Sequence, residues 1–313
     1  LAEKLPHLEP TAPDKAEETF RLLNGFRMEL LAAEPLVTDP VAMQYDENGL
    51  AYVIEMNDYP YTDKSKDEAW AEQKSAPIGK VRVLEDVDGD GKFDRSTIFA
   101  EGLSWPTGLA FWKGGVYVSA TPDIWYFKDT DGDHKADIKR KVFTGFRKYN
   151  VQAVMNNLKW GLDHQIYGAG GSNGGVIQVV GAPKSDPINM GRRDFRFDAD
   201  TETFEVISGG ARFGNTFDDW GNRFLCNIRN PLMHIVLPTK YLQRNRYLPV
   251  TSAINDVADA GDAIAVFRAS PPEPWRIINA QRVANDPDSR SPKSAKYATG
   301  FVTSSSGVTL YRG

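Results

Sequence analysis

Two acid-rich segments of nine residues carry the clearest chemical signal in this sequence. They read DVDGDGKFD at positions 86–94 and DTDGDHKAD at positions 129–137. Aspartates at alternate positions, a lysine carbonyl and a final aspartate can place oxygen atoms around one hard cation such as calcium. Neighbouring carboxylates repel one another unless a cation lies between them, so calcium is favoured over an ordinary acidic turn. The predicted ligands are Asp86, Asp88, Asp90, Lys92 and Asp94, and in the second segment Asp129, Asp131, Asp133, Lys135 and Asp137.

The two segments differ from an EF-hand and from each other. Gly91 allows a tight turn in the first segment, whereas His134 stands at this position in the second, where calcium is favoured less strongly. Both segments lack the glutamate that closes an EF-hand loop, and both lie between predicted strands rather than helices. We therefore expect hairpin loops that hold structural calcium.

A recurring unit of paired strands surrounds these segments. Each unit has a short apolar stretch, a turn rich in aspartate, asparagine and glycine, and a second strand, which together indicate a β-hairpin. Further strand pairs follow, and four-stranded units repeated along a chain are typical of a β-propeller. The sequence therefore predicts an all-β propeller of four-stranded blades. The innermost strands are expected near Val41, Thr107, Leu158, Asn215 and Val302.

The number of these units predicts how much of a propeller the chain supplies. The fifth innermost strand lies at the end of the chain, which indicates a six-bladed ring that further polypeptide completes. The segment GFRMELLAAE at 25–34 is expected to be the outer strand of the closing blade. We divide the chain into an N-terminal extension over 1–23, with a helix over 14–23, and a propeller domain over 24–313. A second helix is suggested over 65–74.

The predicted topology separates two faces of the propeller. Turns between the first and second strands of a blade, such as 46–49 and 113–115, share one face with the acid-rich turns between third and fourth strands. We call the opposite face, at which the chain enters the innermost strands, the mouth face. Ligand sites of propellers usually lie over the central channel, where loops from different blades converge. We therefore expect the functional site on the mouth face.

Six polar residues on the predicted mouth-face loops are candidates for the site. They are Asp58, Asp123, Asn157, Arg212, Arg229 and Asn230. The aspartates are candidates for a catalytic base, and the asparagines could position a substrate hydroxyl. The arginines suit a carboxylate or carbonyl, because guanidinium groups bind carboxylates in a bidentate manner, although ordinary surface ion pairs are the alternative. The long loop over 57–78 is either a lid or a solvated insertion.

Composition excludes several other functions. The formal net charge is -5 and no dense basic cluster is present, which argues against a nucleic-acid surface. Cys226 is the single cysteine, so the chain can form no internal disulfide, and a buried thiol is expected. No apolar run approaches the roughly 20 residues of a membrane helix, and no CxxCH haem motif occurs. Histidine is scarce in the sequence. We expect His164 on the face that carries the acid-rich turns, which we call the acid-loop face, and His234 within a strand.

Several stretches resemble one known family. They are GFRMELLAAEPLVTDPVAMQYDENGLAYVIEMNDYP, GKVRVLEDVDGDGKFDRSTIFAEGLSWPTGLAFWKGGVYVSATPDIWYFKDTDGD and NNLKWGLDHQIYG. They resemble the N-terminal propeller of the membrane-bound dehydrogenases of Planctomycetes and Verrucomicrobia, over about residues 24–230 and again at FVTSSSGVTLYRG. That family is similar to the soluble quinoprotein sugar dehydrogenases. These are six-bladed propellers that bind pyrroloquinoline quinone and calcium above the channel and transfer a hydride from a sugar hydroxyl to the quinone.

The resemblance implies a dehydrogenase for a sugar or a related alcohol, with pyrroloquinoline quinone as cofactor and a cytochrome as electron acceptor. It also implies a periplasmic or extracellular location, with membrane association through regions outside this chain. Arg229, Asn230 and Pro231 are similar to an Arg-Asn-Pro element of the quinoproteins, but the catalytic histidine of their pattern has no counterpart in the stretch from Gln152 to Asn157. The alternative is a non-catalytic, calcium-stabilised propeller that binds a glycan or a protein partner.

Overall fold

The strands of the chain form antiparallel sheets, and its helices are short. The structure is a computed structural model and describes residues 5, 9–59, 76–182, 186–245, 247, 249–266, 271–289, 296 and 300–312. None of the helices in these ranges has the length and apolar composition that crossing a bilayer requires. The fold is all-β, as the sequence predicted.

Four sheets follow one another along the chain. Sheet 1 contains β1 (Pro40–Tyr45), β2 (Ala51–Glu55), β3 (Gly79–Glu85) and β4 (Arg95–Leu103). Sheet 2 contains β5 (Pro106–Trp112), β6 (Gly115–Ala120), β7 (Asp123–Lys128) and β8 (Ile138–Phe146), followed at its edge by β11 (Gly175–Val179) and β12 (Ile188–Asn189). Sheet 3 contains β9 (Asn156–Trp160), β10 (Gln165–Ala169), β13 (Asp194–Asp198) and β14 (Phe204–Ile207). Sheet 4 contains β15 (Phe213–Phe217), β16 (Arg223–Cys226), β17 (Met233–Ile235) and β18 (Ile254–Asp256).

Helical segments lie outside these sheets. The α-helices are α1 (Pro13–Ala16), α2 (Thr239–Leu242) and α3 (Pro274–Ala284), and 3₁₀ turns occur at Glu17–Thr19, Val151–Ala153 and Gly261–Ala263. The helix predicted over 14–23 is therefore reduced to α1 and a short turn. The helix suggested over 65–74 lies outside the described residues.

The sheets are arranged like the blades of a propeller. Their first strands meet in chain order, because β1 contacts β5, β5 contacts β9, and β9 contacts β15. Side chains reinforce this convergence: the Gln44 amide donates to the Leu109 carbonyl oxygen of the next sheet at 2.9 Å. Strands β2 and β6 are buried along their whole length. Strand β6 lies between sheets 1 and 3, whereas β2 packs against sheet 2 on one face and against Ala32 and Val37 on the other. Four of the five predicted innermost strands are confirmed by β1, β5, β9 and β15.

Aromatic side chains fill the space between sheets 2 and 3. Phe143 and Phe197 meet edge to face with ring centroids 5.1 Å apart, and Phe195 stacks on Phe204 at 5.3 Å. The Tyr117 hydroxyl donates to the Ala199 carbonyl oxygen at 2.9 Å, which satisfies its only polar group in the core. Aromatic pairs of this kind contribute beyond the area they bury. This cluster holds the two sheets at a fixed spacing.

A buried ion pair connects sheets 3 and 4. The Arg223 guanidinium on β16 donates to the carboxylate of Asp194 on β13, and it also donates to the Ser208 carbonyl oxygen at 2.7 Å. The backbone N–H groups of Gly170 and Ala211 donate to the other Asp194 oxygen at 2.9 and 3.2 Å. The buried Asp194 carboxylate therefore accepts hydrogen bonds from three segments of the chain.

The sequence did not predict the fifth and sixth strands of sheet 2. Residues that follow β10 of sheet 3 cross to the outer edge of sheet 2, where β11 pairs with β8. A Cβ atom at Gly145 would lie 2.0 Å from the Val176 carbonyl oxygen, so this close approach requires glycine. Pairing between segments so far apart along the chain leaves no local pattern, which explains why it was missed.

Both ends of the chain differ from the predicted ring closure. In the described part of the chain, residues 25–34 form no strand; the Leu31 carbonyl oxygen accepts from the Phe93 N–H at 3.0 Å. Residues 301–312 form only one isolated bridge, yet the Ser305 N–H donates to the Ile228 carbonyl oxygen at 3.0 Å. The last segment thus lies beside sheet 4, where a fifth innermost strand would run. The number of blades in the complete ring stays a prediction.

Candidate functional site

The first acid-rich turn gathers three carboxylates. Oxygen atoms of Asp86, Asp88 and Asp94 lie within 4.8 Å of one another. The two oxygens of Asp86 also accept from backbone N–H groups of the loop's glycines at 2.7 and 2.9 Å, which orients this carboxylate. Asp90 does not join the group, and its Oδ1 accepts from the Lys92 N–H at 2.8 Å. The three gathered carboxylates fit one hard divalent cation.

The second acid-rich turn repeats this arrangement. Oxygen atoms of Asp129, Asp131 and Asp137 lie within 4.8 Å of one another. The hydroxyl and the backbone N–H of Thr130 hold the pKa of Asp137 below its usual value. His134 adopts the left-handed conformation that glycine provides in the first loop, with φ of 62°. The substitution of histidine for glycine therefore leaves the turn intact. Asp133, with its Oδ1 bonded to the Lys135 N–H at 2.8 Å, lies outside the group.

The acid-rich turns and the inner hairpin turns share one face, as the antiparallel strand order requires. Electrostatics agree with this placement. Burial raises the pKa of Tyr52 to about 12, and the charges of Asp46, in an inner turn, and Asp129, in an acid-rich turn, add to the shift. The acid-rich loops are thus separated from the mouth face.

A cavity of about 680 Å³ lies where the four innermost strands converge. We call it the central cavity. Its polar lining residues are Asp39, Gln44, Tyr59, Thr107, Gln152, Asn156, Asn157 and Ser306. Amide and hydroxyl groups predominate among these polar residues, apolar residues such as Leu109 and Leu158 form much of the remaining wall, and Asp39 is the one carboxylate among the described residues of the lining. Such a volume and such a lining are typical of small-molecule sites.

Gln152 joins three loops at the mouth of this cavity. Its Nε2 donates to the Tyr59 hydroxyl at 2.8 Å, which reaches from sheet 1. Its carbonyl oxygen accepts from Arg212 Nε, before sheet 4, at 3.1 Å. Its own N–H donates to Asn150 Oδ1 at 2.9 Å, so the residue is held firmly in the loop before β9. A ligand entering the central cavity must pass this bridge.

Asn157 lines the central cavity and also connects β9 to β15. The N–H and the side-chain Nδ2 of Asn215 donate to Asn157 Oδ1 at 2.9 and 2.8 Å, and Nδ2 also reaches the Asn157 carbonyl oxygen. Asn157 has φ of 54°, which asparagine tolerates better than most residues. Its amide oxygen is therefore occupied by a structural contact between blades.

Asn157→Ala is expected to lower the free energy of unfolding by about 1–3 kcal/mol. The change removes the acceptor of a nearly buried asparagine, Asn215, and places alanine in the left-handed region. Urea unfolding measures the loss. Asn48→Ala, at an exposed turn where the side chain bonds only to Asp46, is the control and should change stability by about 0.5 kcal/mol or less. Equal stability of the two variants would contradict the structural assignment.

Three of the six predicted site residues meet in a second cavity on the mouth face. Arg212, Arg229 and Asn230 line it, together with Arg192, and its volume is about 690 Å³. Burial lowers the pKa of Arg212, and no ion pair joins Arg212 or Arg229 to a carboxylate within the described residues. Asn230 Nδ2 donates to Asp256 at 2.6 Å, so this side chain shapes the wall. The arginines can bind an anionic group, and three aspartates line the same cavity: Asp256, Asp259 and Asp262.

The two predicted acids lie away from both cavities. Asp123 begins β7, accepts from the Thr144 hydroxyl at 2.5 Å and pairs with Lys141 Nζ at 2.9 Å. Asp58 is buried and accepts from the Trp105 N–H at 3.1 Å. Burial raises the pKa of Asp58, although the charge of Lys148 opposes the shift. Neither acid is presented to a ligand in the central cavity.

Asp58→Asn is expected to gain stability relative to the natural chain as the pH rises. The folded-state pKa of Asp58 is raised, so its contribution to stability is complete below the ordinary aspartate pKa and is lost as the pH rises through the folded value. Asparagine keeps an acceptor for the Trp105 N–H without a charge. Urea unfolding across the acidic and neutral range measures the difference. A difference that does not change with pH would contradict a raised pKa.

Sequence reasoning missed several residues of the central cavity. Asp39, Thr107 and Asn156 all lie at the start of an innermost strand, one in each of sheets 1, 2 and 3. A polar residue near the start of each of these strands was the available signal. Gln152 gave none, because its role depends on two loops from other sheets.

The chain is similar to several solved structures and to one protein family. No curated protein matches the sequence. Similar solved structures include the PQQ domain of a pyranose dehydrogenase from Coprinopsis cinerea, with 15% sequence identity and a TM-score of 0.45. This match covers 69% of the present chain and 47% of that structure's chain. The aldose sugar dehydrogenase of Streptomyces coelicolor, in its PQQ-bound form, has 16% sequence identity and a TM-score of 0.41, and the match covers 63% of the present chain and 59% of that chain. A Family AA12 carbohydrate-active enzyme of Trichoderma reesei has 17% identity, coverage of 66% and 47%, and a TM-score of 0.42.

The chain spans roughly half the length of these structures, between 47% and 59%. The family comparison covers nearly the whole chain. Residues 12–313 match a family described as "Domain of unknown function (DUF7133)", and the chain belongs to this family.

Proposed function

We propose that the chain binds a sugar or a related alcohol in the central cavity and that it is the propeller part of a dehydrogenase for this ligand. The observation that carries the proposal is the polar part of that cavity's lining, which consists of amides and hydroxyls and, among the described residues, the one carboxylate of Asp39. Hydroxyl-rich ligands pair with such groups, which both donate and accept hydrogen bonds. The bridge of Gln152 and Tyr59 lies at the entrance, where it can contact the bound ligand.

Oxidation of an alcohol needs a proton acceptor for the hydroxyl and a hydride acceptor for the carbon. Asp39 is the lining residue that can accept the proton, and Asn57 Nδ2 donates to its Oδ2 at 3.2 Å, which orients the carboxylate. A quinone such as pyrroloquinoline quinone, when bound, would accept the hydride. Its carboxylates suit Arg212 and Arg229, which line the neighbouring mouth-face cavity. Asn157 and Asn230 keep these walls in place.

The acid-rich turns hold structural calcium in this proposal. Their gathered carboxylates fit the ion, and their position on the face opposite the mouth separates them from the ligand. The remaining parts of the proposal follow the family resemblance. They are membership of the Planctomycetes and Verrucomicrobia dehydrogenases, a six-bladed ring completed by further polypeptide, a cytochrome acceptor, and a periplasmic or extracellular location.

A non-catalytic, calcium-stabilised propeller is the second candidate. The burial of Asp58 and the ion pair of Asp123 favour it, because both groups have structural partners and neither reaches the central cavity. In this case the cavity would bind a glycan or a protein partner without chemistry. The two candidates share the binding site and differ only in turnover.

One experiment separates them. The purified chain is mixed with calcium and pyrroloquinoline quinone, and quinone absorbance and dye-coupled oxidation are recorded with a panel of sugars and polyols. The dehydrogenase predicts turnover that Asp39→Asn reduces by roughly a hundredfold or more with nearly unchanged ligand affinity. Sugar binding without turnover would support the second candidate. Absence of binding by any sugar or polyol would contradict the dehydrogenase and the glycan-binding form of the second candidate.

A further inference from the structure

A groove lies between sheets 3 and 4, and it shares no lining residue with the central cavity. Its volume is about 490 Å³. One end is formed by the inner hairpin turns that contain Asp163 and Trp220, on the acid-loop face, and the other by Thr239 and Tyr241 of α2. Described parts of this chain form both walls of the groove.

The groove presents aromatic surface to solvent. Trp220 is 84% exposed and Tyr241 is 49% exposed, although both are large side chains that a folded protein normally covers. On its floor, the rings of Tyr167 and Phe217 meet edge to face with centroids 4.8 Å apart. Such an arrangement of amphipathic rings at a groove, with apolar faces available, marks an interaction site.

The polar groups of the groove are balanced in charge and fixed in position. Arg196 donates to Glu205 at 2.7 Å, to Asp163 at 2.7 Å and to the Tyr167 hydroxyl at 3.1 Å. These carboxylates retain further acceptor positions. Arg196 is paired with both acids and Arg223 with Asp194, and Lys240 adds one positive charge to the lining, so the groove has no strong field of one sign to select a charged ligand. A neutral ligand with several hydroxyl groups fits this set.

Two buried polar atoms of the groove's lining residues, His234 Nε2 and Arg223 Nε, lack a hydrogen-bond partner within the described residues. His234 lines the groove, and its Nε2 is buried without a hydrogen bond in the described part of the chain. The imidazole stacks on Phe224 with centroids 4.9 Å apart, so its orientation is restricted. A buried polar atom without a partner costs free energy that a ligand hydroxyl would recover.

We propose that this groove binds a neutral glycan, with one pyranose ring packed on the Trp220 indole and a hydroxyl hydrogen-bonded to His234. Aromatic rings cover the C–H face of a sugar, while the surrounding carboxylates, guanidinium and imidazole pair with its equatorial hydroxyls. The site is separate from the central cavity and does not depend on the dehydrogenase proposal. It would hold the protein on a polysaccharide whichever reaction the central cavity performs.

The test uses the full chain and neutral oligosaccharides of glucose, xylose and N-acetylglucosamine, titrated by calorimetry and by tryptophan fluorescence. Trp220→Ala should weaken binding at least tenfold and Trp220→Phe less, because phenylalanine keeps an apolar ring. Trp275→Ala, on α3 outside the groove, is the matched control and should bind like the natural chain. Gln152→Ala, which removes the bridge beside the central cavity, should also leave this binding unchanged, which separates the result from the central cavity.

Two outcomes would overturn the proposal. The first is no binding of any of these oligosaccharides, or equal binding by the natural chain and Trp220→Ala. The second is a dimer, seen by sedimentation, that Trp220→Ala dissociates, because the groove would then be a protein interface. Trp220 is exposed, so its replacement should leave thermal unfolding unchanged and the comparison remains valid.

Discussion

Asp194→Ala is expected to lower the free energy of unfolding by about 3–5 kcal/mol, because it leaves the buried Arg223 guanidinium without its counter-charge. Both side chains are almost completely buried, and the carboxylate also accepts from the N–H groups of Gly170 and Ala211. Alanine removes all of these acceptors at once. Urea unfolding followed by tryptophan fluorescence measures the loss, and the variant is expected to separate sheets 3 and 4 first.

Matched variants show whether burial causes this effect. The Lys113 and Asp200 pair also connects turns of neighbouring sheets, but its side chains are 65% and 56% exposed. Asp200→Ala should therefore cost about 1 kcal/mol or less. Asp194→Leu combined with Arg223→Met should recover part of the loss, since no buried charge remains. A cost for Asp194→Ala similar to that of Asp200→Ala would contradict the ion pair's role.

Calcium is expected to raise the stability of the chain through the first acid-rich loop. With free calcium a hundredfold above its dissociation constant, binding to the folded state alone adds about 2.7 kcal/mol. The physical reason is that the ion relieves the repulsion among the gathered carboxylates of Asp86, Asp88 and Asp94. Thermal unfolding with calcium and with a chelator measures this difference, which should be a clear rise in Tm with calcium.

The structure brings Asp88 into the group of gathered carboxylates and leaves Asp90 outside it. Asp88→Asn should abolish most of the calcium-dependent rise from this loop, because it removes one charged member of the group. Asp90→Asn should retain most of it, since Asp90 bonds to the Lys92 N–H outside the group. Neither variant should change ligand affinity at the mouth face. Identical behaviour of the two variants, or no effect of calcium on the natural chain, would contradict this assignment.

The sequence predicted which loops contribute to the candidate site, but it predicted less well which of their side chains line a cavity. Arg212, Arg229 and Asn230 were predicted on one face, and they line one cavity. The acids were less predictable, because whether a carboxylate faces a cavity depends on side-chain direction and on the neighbouring sheet. Asp58 is covered, whereas Asp39, at the entry to β1, lines the central cavity.

Local patterns in the sequence determined the strands, their order and the acid-rich turns. Alternating and continuous apolar stretches specify strands within a few residues, and aspartate with glycine specifies turns through contacts only a few positions apart, such as Asp86 with Gly91. Antiparallel order then assigned the two faces without further information. These features depend on short-range physics, which a sequence displays directly.

Only the tertiary structure decided which side chains meet. The transfer of β11 to sheet 2, the burial of Asp194 with Arg223, the Gln152 bridge and the groove beside Trp220 all join segments from different sheets. Their energies come from desolvation and from packing between sheets, and both depend on the positions of residues far apart in the chain. The sequence contains the residue types that these contacts need. Which residues contact one another is determined by the relative positions of the sheets.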